Sequence, residues 1–163
     1  MTAFVVDTNV AIVANGGKTT HADLACQLSC AEKLDSIVNQ ETVVIDDKGL
    51  IFAEYQGHLS FAGQPGMGDA FFKYVFDFQY RSSRVVRVPV TQSDDERRGY
   101  EELPENKFDP SDRKFLAVAV VSRAVILNAT DSDWEEHGPL MDQLEVEVDQ
   151  LCPQYARKRN GRE

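Results

Sequence analysis

Apolar residues in this chain form two kinds of pattern, short unbroken runs and longer stretches with helical spacing. Ala3-Phe4-Val5-Val6, Thr42-Val43-Val44-Ile45 and Val125-Ile126-Leu127 are uninterrupted and rich in β-branched residues, as buried parallel strands are. Arg84-Val85-Val86-Arg87-Val88-Pro89-Val90 alternates like a strand with one wet face, and Pro89 puts it at an edge or an end. Leu144-Glu145-Val146-Glu147-Val148 alternates in the same way and predicts a last strand. Between these runs the period changes. Thr8 is placed to cap a helix carrying Val10, Ile12 and Val13, which Asn15-Gly16-Gly17 stops. Helical spacing then predicts helices from His21 to about Asn39, over Leu50–Leu59, over about Asp69–Tyr80 and from Pro110 to about Ala124. A short exposed helix is expected within the charged stretch Asp94–Glu102, and Gly63–Gly68 reads as a loop.

Strands and helices thus alternate almost throughout, which predicts an α/β fold: a three-layer α/β/α sandwich on a mostly parallel sheet. With 163 residues the chain fits a single domain, expected over residues 1–155, followed by a basic, disordered tail over 156–163. There is no internal repeat to suggest a solenoid.

The polar positions at the ends of the apolar runs carry the chemistry. Asp7 follows the first run, Asp112 opens the apolar helix before the third, and Asp131 and Asp133 follow that third run. Glu54 lies inside Leu50-Ile51-Phe52-Ala53-Glu54-Tyr55, an odd place for a glutamate unless it faces a polar site. In an open parallel sheet, ligands bind beyond the carboxyl ends of the strands. The helix returning to each strand begins at that same edge, so Asp7, Asp112 and Asp131 are expected to meet there. Alone, each has a plainer role as a helix cap or turn residue, and Glu54 could face solvent; the conjunction favours a shared site. Gathered anions need a neutralising cation. An all-oxygen donor set without a His/Cys cluster suits hard ions, Mg²⁺ or Mn²⁺, rather than zinc.

Composition narrows the functional classes. The net charge is −10 and the pI near 4.7, the wrong sign for gripping nucleic acid by broad phosphate neutralisation. Metal ions could supply positive charge locally. No stretch approaches the roughly 20 apolar residues of a membrane span, and no secretory signal is legible, so a cytoplasmic protein is expected. The three cysteines, Cys26, Cys30 and Cys152, are an odd number that argues against a disulfide framework and for ordinary core thiols.

Four segments together resemble the PIN-domain ribonucleases. They are Val5-Val6-Asp7-Thr8-Asn9-Val10, Phe52-Ala53-Glu54-Tyr55, Asp109-Pro110-Ser111-Asp112 with the apolar helix after it, and Val125–Trp134 with its Thr130-Asp131-Ser132-Asp133 loop. The resemblance, which spans nearly the whole chain, implies a metal-dependent endoribonuclease. Asp7, Asp112 and Asp131 would contact the metal, Glu54 would hold a second ion or its water, and Asn9, Thr130 and Asp133 would support the ligands or the substrate. It also implies RNA as substrate, an inhibitory partner such as an antitoxin, and a homodimer made plausible by the aromatic helix at 69–80. Two rival readings are a catalytically silent scaffold of the same fold and a phosphoacceptor regulatory domain. The second lacks its acidic pair after the first strand and its late lysine.

Overall fold

The computed structural model describes residues 2–16 and 21–156. Five strands form one all-parallel sheet: β1 (Ala3–Val6), β2 (Thr42–Asp46), β3 (Val85–Val88), β4 (Val125–Asn128) and β5 (Val148–Gln150). Their order is β3-β2-β1-β4-β5. The chain therefore walks outward from β1 to the edge strand β3, then returns to lay β4 on the other side of β1. That return makes β1/β4 the switch point of the sheet, the place where open parallel sheets bind ligands. In register, Val5 lies opposite Ile126 and Val6 opposite Leu127, so both strands end at one level.

Helices cover the sheet to give the α/β/α sandwich. α1 (Thr8–Asn15) packs on α2 (Leu24–Gln40) and on α4 (Met67–Phe78). α3 (Leu50–His58) lies between β2 and α4 in sequence, and α5 (Arg113–Ser122) packs against β1, β2, β3 and β4. Three short helices follow: α6 (Asp133–Glu136), α7 (Gly138–Leu144) and α8 (Pro153–Ala156). Among the described residues no helix is long and apolar enough to cross a membrane.

Local chemistry sets the helix starts. Asp46 ends β2 and its carboxylate accepts the backbone N–H groups of Lys48, Leu50 and Ile51, turning the chain into α3 through Gly49 at positive φ. Asp69 accepts from the N–H groups of Gly66 and Ser60 at the start of α4, and Asn15 bonds both its backbone and its side chain. At Gly68 the two helices touch so closely that a Cβ would fall 2.0 Å from the Ala11 carbonyl oxygen. Only glycine fits there.

Several sequence expectations need correction. Asp7, not Thr8, caps α1, and Thr8 occupies its first turn. Gly16, at φ 67°, ends that helix, while Gly17 lies outside the described residues. The charged stretch 94–102 forms turns rather than a helix and closes through a Gln92–Tyr100 antiparallel bridge, because Ser93 and Asp95 side chains bond the local backbone instead. The segment 144–148 is not a strand throughout. α7 runs to Leu144, Glu145 takes the left-handed conformation, and β5 begins only at Val148. Residues 157–163 of the expected tail lie outside the described residues.

The cysteines are the largest correction. Cys26 of α2 and Cys152, just before α8, form a disulfide across 126 residues, and Cys30 stays as a buried free thiol. An odd count permits one bridge plus one thiol; what sequence spacing hides is that α8 docks beside α2. Tyr155 Oη accepts the Asp23 backbone N–H at 3.0 Å in the same contact.

Candidate metal centre

Asp7 follows β1 directly, its backbone N–H still paired to the Leu127 carbonyl of β4 at 3.1 Å. Asp131 lies three residues beyond β4. Asp112 ends a 3₁₀ turn, Pro110–Asp112, that runs straight into α5. These three segments, the first more than a hundred residues from the other two, bring one oxygen each of Asp7, Asp112 and Asp131 within 4.8 Å of one another. Asp7 and Asp112 are buried, at 4% and 8% exposure. Among the described residues no lysine, arginine or histidine forms an ion pair with any of the three.

Two unit charges at roughly 4 Å repel by about 4 kcal/mol at an effective dielectric near 20. That cost appears as proton affinity. Burial, and then the charges of Asp131 and Glu54, push the Asp7 carboxyl up to about 7, although Trp134 and the Asn9 backbone donate to it. Burial, then Asp7 and Asp131, push Asp112 up to about 9. A divalent cation would remove this penalty. Oxygen ligands at about 2.1 Å from one ion stand roughly 3–4 Å apart, so the trio suits Mg²⁺ or Mn²⁺ with small side-chain rotations. Asp109 and Asp133 form a second acidic trio with Asp112. Burial, then Asp131, raise the Asp133 carboxyl.

The site is braced by neutral donors. Trp134 Nε1–H donates to Asp7 Oδ2 at 2.8 Å, and the Asn9 backbone N–H donates to Asp7 Oδ1 at 3.2 Å. The Asn9 side chain accepts the N–H groups of Ala129 and Thr130 and donates to Asn128 Oδ1. Asn128 in turn donates to the Asp131 carbonyl and to Gln150. Asp131 Oδ1 accepts the Asp133 backbone N–H at 2.9 Å. Asn9 thus ties the end of β1 to the loop after β4. Thr130 joins through its backbone.

Glu54 does not fall within the trio. It reaches the site's edge from α3, where its charge acts on Asp7, but both its oxygens are engaged. Oε1 pairs with Lys114 Nζ at 2.6 Å, and Oε2 accepts from Thr8 Oγ1. The basic stretch near β3 is likewise tied up locally: Lys73 pairs with Asp77, Arg84 donates to the Val38 carbonyl, and Arg87 stacks on Tyr80.

Trp134, Asn128 and Lys114 escaped the sequence reading as site residues. For Trp134 the signal was a lone indole directly after Asp131-Ser132-Asp133, since a buried indole N–H must find an acceptor. Trp134→Phe keeps the ring packed on Phe108, 4.7 Å away between centroids, but deprives Asp7 of its strongest donor. Mn²⁺ affinity at neutral pH is expected to fall about tenfold, as for lost partners of metal ligands; titration calorimetry at pH 7 checks it.

Compared with known proteins, the chain matches no family model, no curated protein and no solved structure.

Proposed function

We propose that this protein is a metal-dependent endoribonuclease of the PIN-domain type, hydrolysing RNA phosphodiester bonds at the switch point between β1 and β4. One observation carries the reading: three carboxylates from three separate segments converge, with no basic partner among the described residues, at the point where an open parallel sheet binds ligands. When bound there, Mg²⁺ or Mn²⁺ neutralises phosphate charge and acidifies the attacking water.

The chain's own residues then have distinct tasks. Asp7, Asp112 and Asp131 hold the cation. Trp134 and the Asn9 backbone fix the rotamer of Asp7, while Asn9 and Asn128 hold the 129–131 loop at the height of the β1 terminus. Asp133, with Asp109, adds negative charge beside Asp112. Thr130 belongs to that loop, its backbone N–H held by Asn9, and is assigned to the substrate side of the site. A net charge of −10 disfavours RNA approach in the absence of a cation, so substrate binding is itself metal-dependent.

A cytoplasmic location belongs to the same proposal, as does an inhibitory protein partner of the antitoxin kind. So does a homodimer through α4, where Phe76 and Phe78 stay 45% and 40% exposed. The test is cleavage of a labelled single-stranded RNA by purified protein with Mn²⁺, with chelator, and with Asp7→Asn. Cleavage is expected only for the wild type with metal; equal cleavage by both proteins would remove the mechanism.

A further inference from the structure

The pairing of Glu54 with Lys114 divides the four acids into two groups with different work. Three carboxylates share one space and have no basic partner among the described residues. The fourth already has one. Lys114 Nζ sits 2.6 Å from Glu54 Oε1, in a mostly buried pair with side chains 13% and 23% exposed. Thr8 Oγ1 saturates the other Glu54 oxygen. Lys114 stands two residues beyond Asp112, in the first turn of α5, so the same turn that delivers a metal-site acid delivers the ammonium. An ammonium carries three N–H donors. Two are used, by Glu54 and by the Ser111 carbonyl; no oxygen among the described residues takes the third, although Nζ lies 5.2 Å from the centroid of the Phe115 ring.

From this arrangement we propose that Lys114 contacts the RNA phosphate beside the metal, and that Glu54 is the residue that positions Lys114 rather than a metal ligand. The inference rests on the nuclease reading of the Asp7, Asp112 and Asp131 centre. Its physical logic is preorganisation: a positive charge fixed by a partly buried carboxylate needs no rearrangement when charge accumulates on the phosphate. Held in place two residues along the chain from Asp112, it also gives this acidic protein a fixed basic group for RNA.

The test combines metal calorimetry with steady-state cleavage of single-stranded RNA at saturating Mn²⁺ over a series of KCl concentrations. Glu54→Gln is expected to bind Mn²⁺ within about threefold of wild type, because a residue that holds the metal or orients its ligands would cost at least about tenfold. Lys114→Met is expected to lower kcat/KM about a hundredfold. It should also flatten the dependence of log kcat/KM on log salt by about 0.7, the loss of one phosphate contact to a single strand. Lys114→Arg restores most of both. If Lys114→Met does not fold, the double variant Glu54→Gln/Lys114→Met, which leaves no charge unpaired, carries the same expectation.

A tenfold or greater loss of Mn²⁺ affinity in Glu54→Gln would tie Glu54 to the metal or its ligands and overturn the assignment. So would wild-type kinetics and salt slope in Lys114→Met. If instead the wild type neither binds Mn²⁺ nor cleaves RNA, the nuclease reading itself fails and takes this inference with it. Wild-type cleavage that Asp7→Asn abolishes and Lys114→Met leaves intact overturns the lysine's role alone.

Discussion

Asp112→Asn is expected to abolish metal-dependent cleavage and, without metal, to make the protein more stable at alkaline pH. The first effect follows from removing the acid shared by both carboxylate trios; a fall of about a thousandfold or more is expected for a residue on which charge neutralisation at the phosphate depends. The second follows from the raised carboxyls. Asp112 holds its proton up to about pH 9 in the folded chain and Asp7 up to about 7, whereas unfolded aspartate releases it near 3.9. Below about pH 4 both states are protonated and this contribution to stability is fully present. Between there and pH 9 the folded state binds more protons than the unfolded one, so stability falls as pH rises. Denaturant unfolding of chelator-treated protein should therefore show the wild type weakening from pH 5 to pH 9. Asp112→Asn should lack most of that slope, with an advantage of the order of 2–4 kcal/mol at pH 9. Adding Mn²⁺ at a hundred times its Kd returns about 2.7 kcal/mol to the wild type and nothing to the variant. Parallel pH profiles for the two proteins would show that the carboxylates do not repel in the folded state.

Cys152→Ser is expected to cost more stability than any substitution outside the core. The bridge to Cys26 closes a loop of 126 residues. In the chain-entropy account a loop of about a hundred residues is worth nearly 5 kcal/mol, and measured bridges give 2–4. For a domain of this size the melting temperature should drop by roughly 5–15 °C. Reductant should produce the same drop in the wild type and none in the variant, which thermal melts with and without dithiothreitol will show. Identical melts under both conditions would mean that the thiols are unpaired in solution. Neither cysteine belongs to the acidic centre, so RNA cleavage below the melting range should persist.

The residues differ in how far their roles can be read from the chain. Asp7, Asp112 and Asp131 announce themselves because each stands at the end of an apolar run, and parallel β–α units send all such ends to one edge. Asp46 also ends an apolar run, but its carboxylate accepts the first N–H groups of α3 instead of joining the trio. Glu54 is legible as a polar residue in an apolar helix, but its partner is not. Lys114 looks like any charged residue near a helix start until α3 and α5 are placed side by side. Asn9 presents itself as a helper of Asp7, whereas its side chain reaches a loop 120 positions later. The stretch 94–102 misleads because its charges suggest a solvated helix, while short Ser and Asp side chains capture the backbone locally.

By itself, then, the order of apolar runs and helical stretches determined the α/β class, the parallel sheet and the edge at which acids collect, since strand period and crossover direction are local properties that sum along the chain. Tertiary structure alone decided which acids share an ion-sized space, that Trp134 steadies Asp7, that Lys114 answers Glu54 and that Cys26 finds Cys152. Those facts depend on distances between segments far apart in sequence, and packing, not pattern, sets such distances.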